Sequence, residues 1–492
     1  MPGFGEITQE TIDMTRGIIQ GGPQALRSPT SAAAVKTGIT VGADYLYGYP
    51  LEAPSKKLYP IEDAMRRRVP RFVNPMGGLY AHWKQITAIN SGKIKAGVAE
   101  GAVNTAITLT NEEKSAKYKT LSMYNTYSDE SRFMGRKFED IPAYAMLALL
   151  QSLMIEEDIY IIGGSDAEIT GSTNAPTGLA AAASSGSLTP GSNYYFAVSA
   201  LNLHGYLNGA NGRATGDSNG ESQACAAVGP STGSSGYELT WADVKGAFAY
   251  NVYCYTSATV RFIATVTTNK YTVTALGAST NVVNVADQTR DVYGYAGLMQ
   301  QICNLTEHSG LTYGTYGTMT AYYKSMDGEE LNGDMAAGVV EIDEALQSIW
   351  NSARISPTVM LANAQEARSL KALAIGNAGT NAARIMVAMD GQAEFKAGAG
   401  VTAYYNPFTA QWIPIVVSTH MAPGTLMLLG ERVPYPNSET PNNFEVELQQ
   451  EYYGEEFARV ARSQPIGATC IGALKLYFPP ACGIIKCIAP TT

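Results

Sequence analysis

The feature that most constrains this chain is a change of character at Gly163-Gly164 that reverses near Asp287. Before the break, Asp140 to Ile162 reads as one long helix. A carboxylate leads it, Pro142 sits in the first turn where a missing N–H costs nothing, and Ala, Met and Leu follow in bulk up to the glycine pair. Beyond the break, residues 171–280 carry eight charged side chains in 110 positions, four of each sign, and the apolar residues alternate with period two. Tyr194, Phe196, Val198 and Ala200 share one face, and Tyr237, Leu239 and Trp241 share another. Tyr250–Tyr255 and Phe262–Thr274 continue the alternation, with Asn269-Lys270 as a turn between two strands. Short strands packed into about 100 residues predict a two-sheet β-sandwich. The flanking blocks share a mixed style that the middle lacks, so the chain reads as an α+β domain interrupted at an exposed turn by an inserted all-β one, expected to fold by itself.

The interrupted domain has its own pattern. The first 60 residues hold one short amphipathic segment and then Gly, Pro, Ser and Tyr clusters, which fit an extended arm. Short strands with glycine breaks follow, clearest at Trp83–Ile89 and Ala102–Leu109. After the insert, Met335, Val339, Ile342, Leu346, Ile349 and Ala353 recur at helical spacing. Thr358–Ala362 is a short buried strand, and Asn363 with Glu366 three residues later forms a capping box that opens a helix to about Ile375. Strands are expected at Ile385–Met389, Trp412–Ser418, Thr425–Leu429, Phe444–Leu448, Ala468–Phe478 and Ile484–Ile488, and a helix over Glu455–Ala461. The division is therefore arm 1–65, extended loop 66–135, long helix 136–167, insert 168–287 and remainder 288–492.

Composition narrows the function. Of 492 residues, 34 are basic and 43 acidic, 16% in all, against about 25% in an ordinary soluble domain. A subunit so poor in charge reads as one that buries surface against other subunits. The net charge of −9 argues against avid general binding to nucleic acid or anionic membrane. Met1–Ile19 has no apolar core of a secretory signal, and the apolar run Ile141–Ile155 is short of the ~20 residues that a membrane span needs. The six cysteines form no CxxC and have no His nearby in sequence, so neither zinc nor a redox pair is signalled, and buried thiols in a cytosolic chain are expected.

The order of the pieces resembles the major capsid proteins of tailed bacteriophages. Those pieces are a loop segment with Arg66-Arg67-Arg68-Val69-Pro70-Arg71 and Trp83-Lys84-Gln85-Ile86-Thr87, a long helix closing in Glu156-Glu157-Asp158-Ile159-Tyr160-Ile161-Ile162-Gly163-Gly164, and a second helix followed by Pro357-Thr358-Val359-Met360-Leu361-Ala362-Asn363. Ile413-Pro414-Ile415-Val416-Val417, Pro423-Gly424-Thr425 and Phe444-Glu445-Val446-Glu447-Leu448 complete the order. Within the insert, Asn193–Asn202, Gly220-Glu221-Ser222, Leu239-Thr240-Trp241 and Ala249-Tyr250-Asn251-Val252-Tyr253 resemble pieces of fibronectin type III or related immunoglobulin-like modules. The resemblance implies a shell fold of arm, extended loop, spine helix, peripheral and axial domains, with an inserted immunoglobulin-like sandwich. It implies hexamers and pentamers of one chain enclosing double-stranded DNA without sequence-specific binding, located in the virion and assembled in the host cytoplasm. Portal, scaffolding and decoration proteins are the further partners it admits. The sequence departs from the family in having no long scaffolding-like N-terminal region and in carrying the large insert.

No catalytic, cofactor or metal site is read. His82, His204, His308 and His420 are scattered away from metal spacing, and no P-loop, GxSxG or HExxH occurs. Asp217, Asn219 and Glu221 read as an acidic turn rather than a calcium loop. The basic run Arg66, Arg67, Arg68 and Arg71 lacks a stacking platform for nucleic acid and is expected to pair with carboxylates of a neighbouring subunit, Arg being suited to bidentate pairing. Trp83, Lys84, Lys93 and Lys95 in the extended loop, and Glu445 and Glu447 in the acidic run, complete the expected subunit interface. The expectation is thus a non-enzymatic shell subunit with no cofactor and no membrane partner. An encapsulin-like nanocompartment shell and a surface adhesin with a fibronectin-like module are the alternatives.

Overall fold

The computed structural model describes residues 63–491 apart from 75–76, 91–93, 136–139, 171–174, 210–219, 257–258, 278–282, 284–285, 306–315, 335–337, 377–384, 388–400, 434–440 and 460. All of these but Gly135 lie in one compact unit spanning 59–134 and 140–492. Nearly all of the expected N-terminal arm falls outside the described residues.

In chain order the first elements are helix α1 (Ala64–Arg68) and strands β1 (Arg71–Val73), β2 (Tyr80–Ile89), β3 (Leu109–Lys117) and β4 (Lys119–Ser128). Helix α2 (Asp129–Gly135) precedes the long helix α3 (Ile141–Gly163). The expected strand at Ala102–Leu109 is corrected, because the hairpin ladder pairs Ile89 with Leu109 and leaves 102–108 in the connecting loop. Asn90, at φ 57°, turns the chain out of the ladder there.

The inserted stretch contains β5 (Ala180–Ser184), β6 (Tyr194–Leu201), α4 (Leu203–Leu207), β7 (Val228–Ser231), β8 (Gly236–Thr240), β9 (Ala249–Thr256), β10 (Thr259–Val266) and β11 (Lys270–Val273). Two sheets result, β10-β9-β6-β7 and β11-β8-β5. They close on a common core of Phe196, Val198, Leu239, Trp241, Tyr250 and Val252, the inward set of the period-two pattern. Asn269-Lys270 does not close a hairpin, since β10 and β11 belong to different sheets. Numbered within the insert, the sheets run 6-5-2-3 and 7-4-1, a threading unlike the constant-type immunoglobulin partition.

The insert shares core residues with the main body. Its core takes in Cys487 near the C-terminus, while its own Leu203 and Phe248 join the main core beside α3. The glycine pair is there for this junction. A Cβ on Gly163 would stand 2.6 Å from Leu203 Cβ, and one on Gly164 would stand 2.5 Å from the Tyr295 carbonyl oxygen.

After the insert come α5 (Leu298–Cys303), β12 (Tyr322–Ser325), the short pair β13 (Gly333–Asp334) and β14 (Gly338–Val339), α6 (Val340–Ala353), β15 (Val359–Ala362), α7 (Ala364–Gly376) and β16 (Ile385–Val387). β17 (Val401–Asn406), β18 (Gln411–Val417), β19 (Leu426–Leu429), β20 (Phe444–Glu456), β21 (Ser463–Leu476) and β22 (Gly483–Lys486) complete the order. The expected helix at Glu455–Ala461 is corrected, because Glu455 and Glu456 stay in the β20–β21 ladder opposite Gly467 and Ile466.

One sheet, β1-β20-β21-β4, packs Leu121, Val446, Ile466 and Leu474 against Leu149, Leu153 and Ile161 of α3. A seven-stranded sheet, β12-β22-β19-β15-β18-β17-β16, divides two cores. Val359, Leu361, Met427 and Leu429 face the α3 side, whereas Met360, Leu426 and Leu428 face α6 and Leu370 of α7. Alternation along β15 and β19 thus builds both layers from one apolar run, as expected of strands buried on both faces.

Candidate assembly surfaces

The β2–β3 hairpin has an anchored base and an apolar free part. At the base, Gln85 Nε2 donates to the Tyr477 carbonyl oxygen at 2.5 Å, and Trp83 meets the Tyr477 ring edge-on at 5.8 Å. The Lys475 ammonium lies 5.6 Å from the Trp83 ring and 5.3 Å from that of Phe72. Farther out, Ile86, Ile89, Val98, Ile107 and Leu109 are exposed and Val103 is 96% exposed. Lys84 is exposed opposite Glu113 in the ladder, and Lys95 is exposed while its carbonyl accepts from Asn104 Nδ2. Lys93 lies outside the described residues. Single exposed apolar residues are ordinary, but a group of them at the end of one hairpin and in its connecting loop is what a partner surface covers.

The arginine run finds carboxylate partners within the chain. Arg66 Nε and Arg71 Nη2 reach one buried carboxylate, Glu157 Oε2 on α3, at 2.9 and 2.8 Å. The Tyr452 hydroxyl donates to the same oxygen, and both guanidinium groups stand over the Tyr452 ring. Arg68 pairs with Glu431 at 2.9 Å, and Arg67, 71% exposed, with Asp63 one turn back at 2.6 Å. These carboxylates belong to the same chain because α1 docks on the C-terminal end of α3, so no neighbouring subunit is required to neutralise the arginines.

The acidic pair is likewise absorbed within the chain. Glu447 is buried, accepts from Asn74 Nδ2 at 2.6 Å and from Tyr118 at 2.5 Å, and pairs with Lys475. Burial pushes its carboxyl up, and the hydrogen bonds from Lys475, Tyr118 and Asn74 outweigh that and hold it below the usual range. Glu445 accepts from the Tyr477 hydroxyl.

Sequence reasoning missed a second buried ionic cluster, where the insert meets the main body. Asp243 Oδ1 accepts from Lys486 Nζ at 2.9 Å, Tyr250 at 2.8 Å and Cys487 Sγ at 3.3 Å, and Oδ2 accepts from Tyr323. Burial pushes the Asp243 carboxyl up, but the Lys486 ammonium and these hydrogen bonds prevail and hold it at about 2. Nothing local in the sequence marks a pair separated by 243 residues. Burial pushes Cys254, Cys303, Cys470, Cys482 and Cys487 up to about 12, so these thiols stay protonated at neutral pH. Among the described residues no helix is long and apolar enough to cross a membrane.

No protein-family model and no curated protein matches the chain. Among solved structures, the capsid of the native GTA particle is similar over 94% of this chain and 100% of that chain, with TM-score 0.44 and 8% identity. The capsid of Myoviridae phage XM1 is similar over 92% and 99%, with TM-score 0.40 and 7% identity. The holo-SrpI encapsulin complex from Synechococcus elongatus PCC 7942 is similar over 94% and 96%, with TM-score 0.37 and 8% identity.

Proposed function

We propose that the chain is the major capsid protein of a tailed bacteriophage, a non-enzymatic subunit that self-assembles through hexamers and pentamers into an icosahedral head shell around double-stranded DNA. The observation that carries this reading is the β2–β3 hairpin, anchored at Trp83 and Gln85 and presenting Ile86, Ile89, Val103 and Ile107 to solvent. Such a ladder is stabilised when its apolar face lies on a neighbouring copy, at about 25 cal/mol per Å2 covered. Low charge overall and a net charge of −9 suit a subunit that buries surface against its copies and encloses DNA without adhering to it. The insert serves as an immunoglobulin-like module fixed to the spine helix, and portal, scaffolding and decoration proteins are its partners in the virion, which is built in the host cytoplasm.

Electron microscopy and light scattering of the purified full chain test the reading. Closed shells or ring-shaped capsomers are expected, whereas a monodisperse monomer at high concentration with no particles rejects it. Nuclease-protected DNA in particles from the native source separates a capsid from a nanocompartment.

The hairpin supplies a sharper test. Val103→Asp with Ile107→Asp should leave the far-ultraviolet circular dichroism and melting unchanged, because both side chains are exposed. Particle yield should fall at least tenfold. Undiminished assembly of this variant would remove the hairpin from the interface.

A further inference from the structure

Between β18 and β19 the chain makes a bend, residues 418–425, tied by polar contacts to two helices. β18 and β19 pair with β15 from opposite sides, so the bend crosses the end of β15 where α7 begins. Its backbone is gripped by the first turn of α7. Asn363 Nδ2 donates to the Met421 carbonyl oxygen at 2.5 Å, and the Gly424 N–H donates to Glu366 Oε1 at 2.6 Å. From the other side, His420 Nδ1 lies 2.7 Å from Asp158 Oδ2 on α3. The second oxygen of Asp158 accepts the Arg66 N–H at 2.7 Å. The bend therefore ties α3 to α7, with Met421 and Ala422 in one core and Leu426 in the other.

Of the two titratable anchors, Glu366 is buried and His420 is half-buried. Glu366 is fully buried, no cation pairs with it among the described residues, and its Oε2 has no hydrogen-bond partner there. The groups facing it are Gln365 Nε2 at 3.2 Å on its own helix, the backbone N–H groups of Asn363 and of Glu366 itself, the Gly424 N–H from the bend, and Tyr206 of α4, whose hydroxyl is pushed up by burial and by the Glu366 charge. Around His420 the charged groups are Asp158 and, next to it on α3, Glu157 with Arg66 and Arg71. A proton on the imidazole strengthens its contact with a buried carboxylate, and a proton on Glu366 removes a buried charge that has no counter-ion.

We propose that residues 418–425 form a proton-controlled latch, closed on α3 and α7 when Glu366 carries its proton and released when Glu366 loses it. Burial pushes the Glu366 carboxyl up to about 7 against the hydrogen bonds it accepts. A pKa raised in the closed state gives a stabilisation that is full below the ordinary 4.5 and is lost as pH rises through about 7. If the carboxyl regains its ordinary value when the latch opens, the closed-to-open ratio falls about tenfold between pH 6 and pH 8. The device belongs to the subunit and holds whatever the chain assembles into.

Hydrogen exchange of the full-length protein, corrected for intrinsic rates, reads this directly. Amides of 418–425 and of the first turn of α7 should lose about tenfold in protection from pH 6 to pH 8, while the β20–β21 ladder keeps its protection. Glu366→Gln, neutral at both pH values and of similar volume, should abolish most of that difference. The same tenfold loss in Glu366→Gln, or no loss in the unmodified chain, overturns the proposal. Should the variant misfold, the unmodified protein still decides, because a loss spread evenly over β20 and β21 rejects a latch and a loss confined to the bend supports it.

Discussion

Replacing Lys486 by methionine is expected to cost ~3–5 kcal/mol of stability, because the change strips a buried carboxylate of the cation paired with it at the seam between the insert and the main body. Asp243 would keep the hydroxyls of Tyr250 and Tyr323 but lose the ammonium that stands 2.9 Å from it. The measurement is a denaturant titration in which the midpoint falls while the slope stays constant. Removing both partners, as in Asp243→Leu with Lys486→Met, should recover most of the loss, since an apolar pair of similar volume avoids desolvating either ion. The pH dependence has a definite sign. Asp243 is held at about 2 against an ordinary 3.8, so its contribution is present above 3.8 and disappears as pH falls toward 2. The gap between the unmodified chain and Lys486→Met should therefore close across that window. A single variant within 1 kcal/mol of the unmodified protein at neutral pH would show that the seam is held by packing alone.

That seam marks the boundary between what the sequence discloses and what it conceals. Periodicity is local, and it placed the long helix to within one residue at each end and set the inward faces of β6 and β8. Asn363 and Glu366 were readable as a capping pair for the same reason, three residues apart on one turn, and Asn363 Oδ1 does accept the Gln365 N–H at the start of α7. Failures came where an element's fate depends on a distant partner. Residues 102–108 have the apolar content of a strand but no facing ladder, and Glu455-Glu456 has helical composition but lies in the ladder opposite Gly467 and Ile466. The insert's boundaries were visible as a fall in charge, yet Leu203, Phe248 and Cys487 exchange places between the two cores with no compositional trace.

The arginine run has partners that sequence alone does not disclose, and it leads to the second large effect. Glu157→Ala should destabilise the subunit by ~3–5 kcal/mol, because it leaves Arg66 and Arg71 facing each other across Tyr452 with no shared carboxylate. The contrast with Arg67 makes the test selective. Arg67 is 71% exposed and pairs with Asp63, an i,i+4 surface pair worth about 0.2–1 kcal/mol, so Arg67→Glu should change stability little. Arg66→Glu, by comparison, would place a second carboxylate beside Glu157 in a largely buried site and should reduce helicity and the melting temperature together. The interface role read from the sequence makes the opposite forecast for Arg66, in which circular dichroism is preserved and only particle formation fails. If Arg66→Glu melts like the unmodified chain yet no longer assembles, the arginines serve contacts between subunits, and the docking of α1 on α3 is secondary. If stability falls with Arg66→Glu and Glu157→Ala but not with Arg67→Glu, the run is an internal clamp that fixes the start of the described chain to the end of the spine helix.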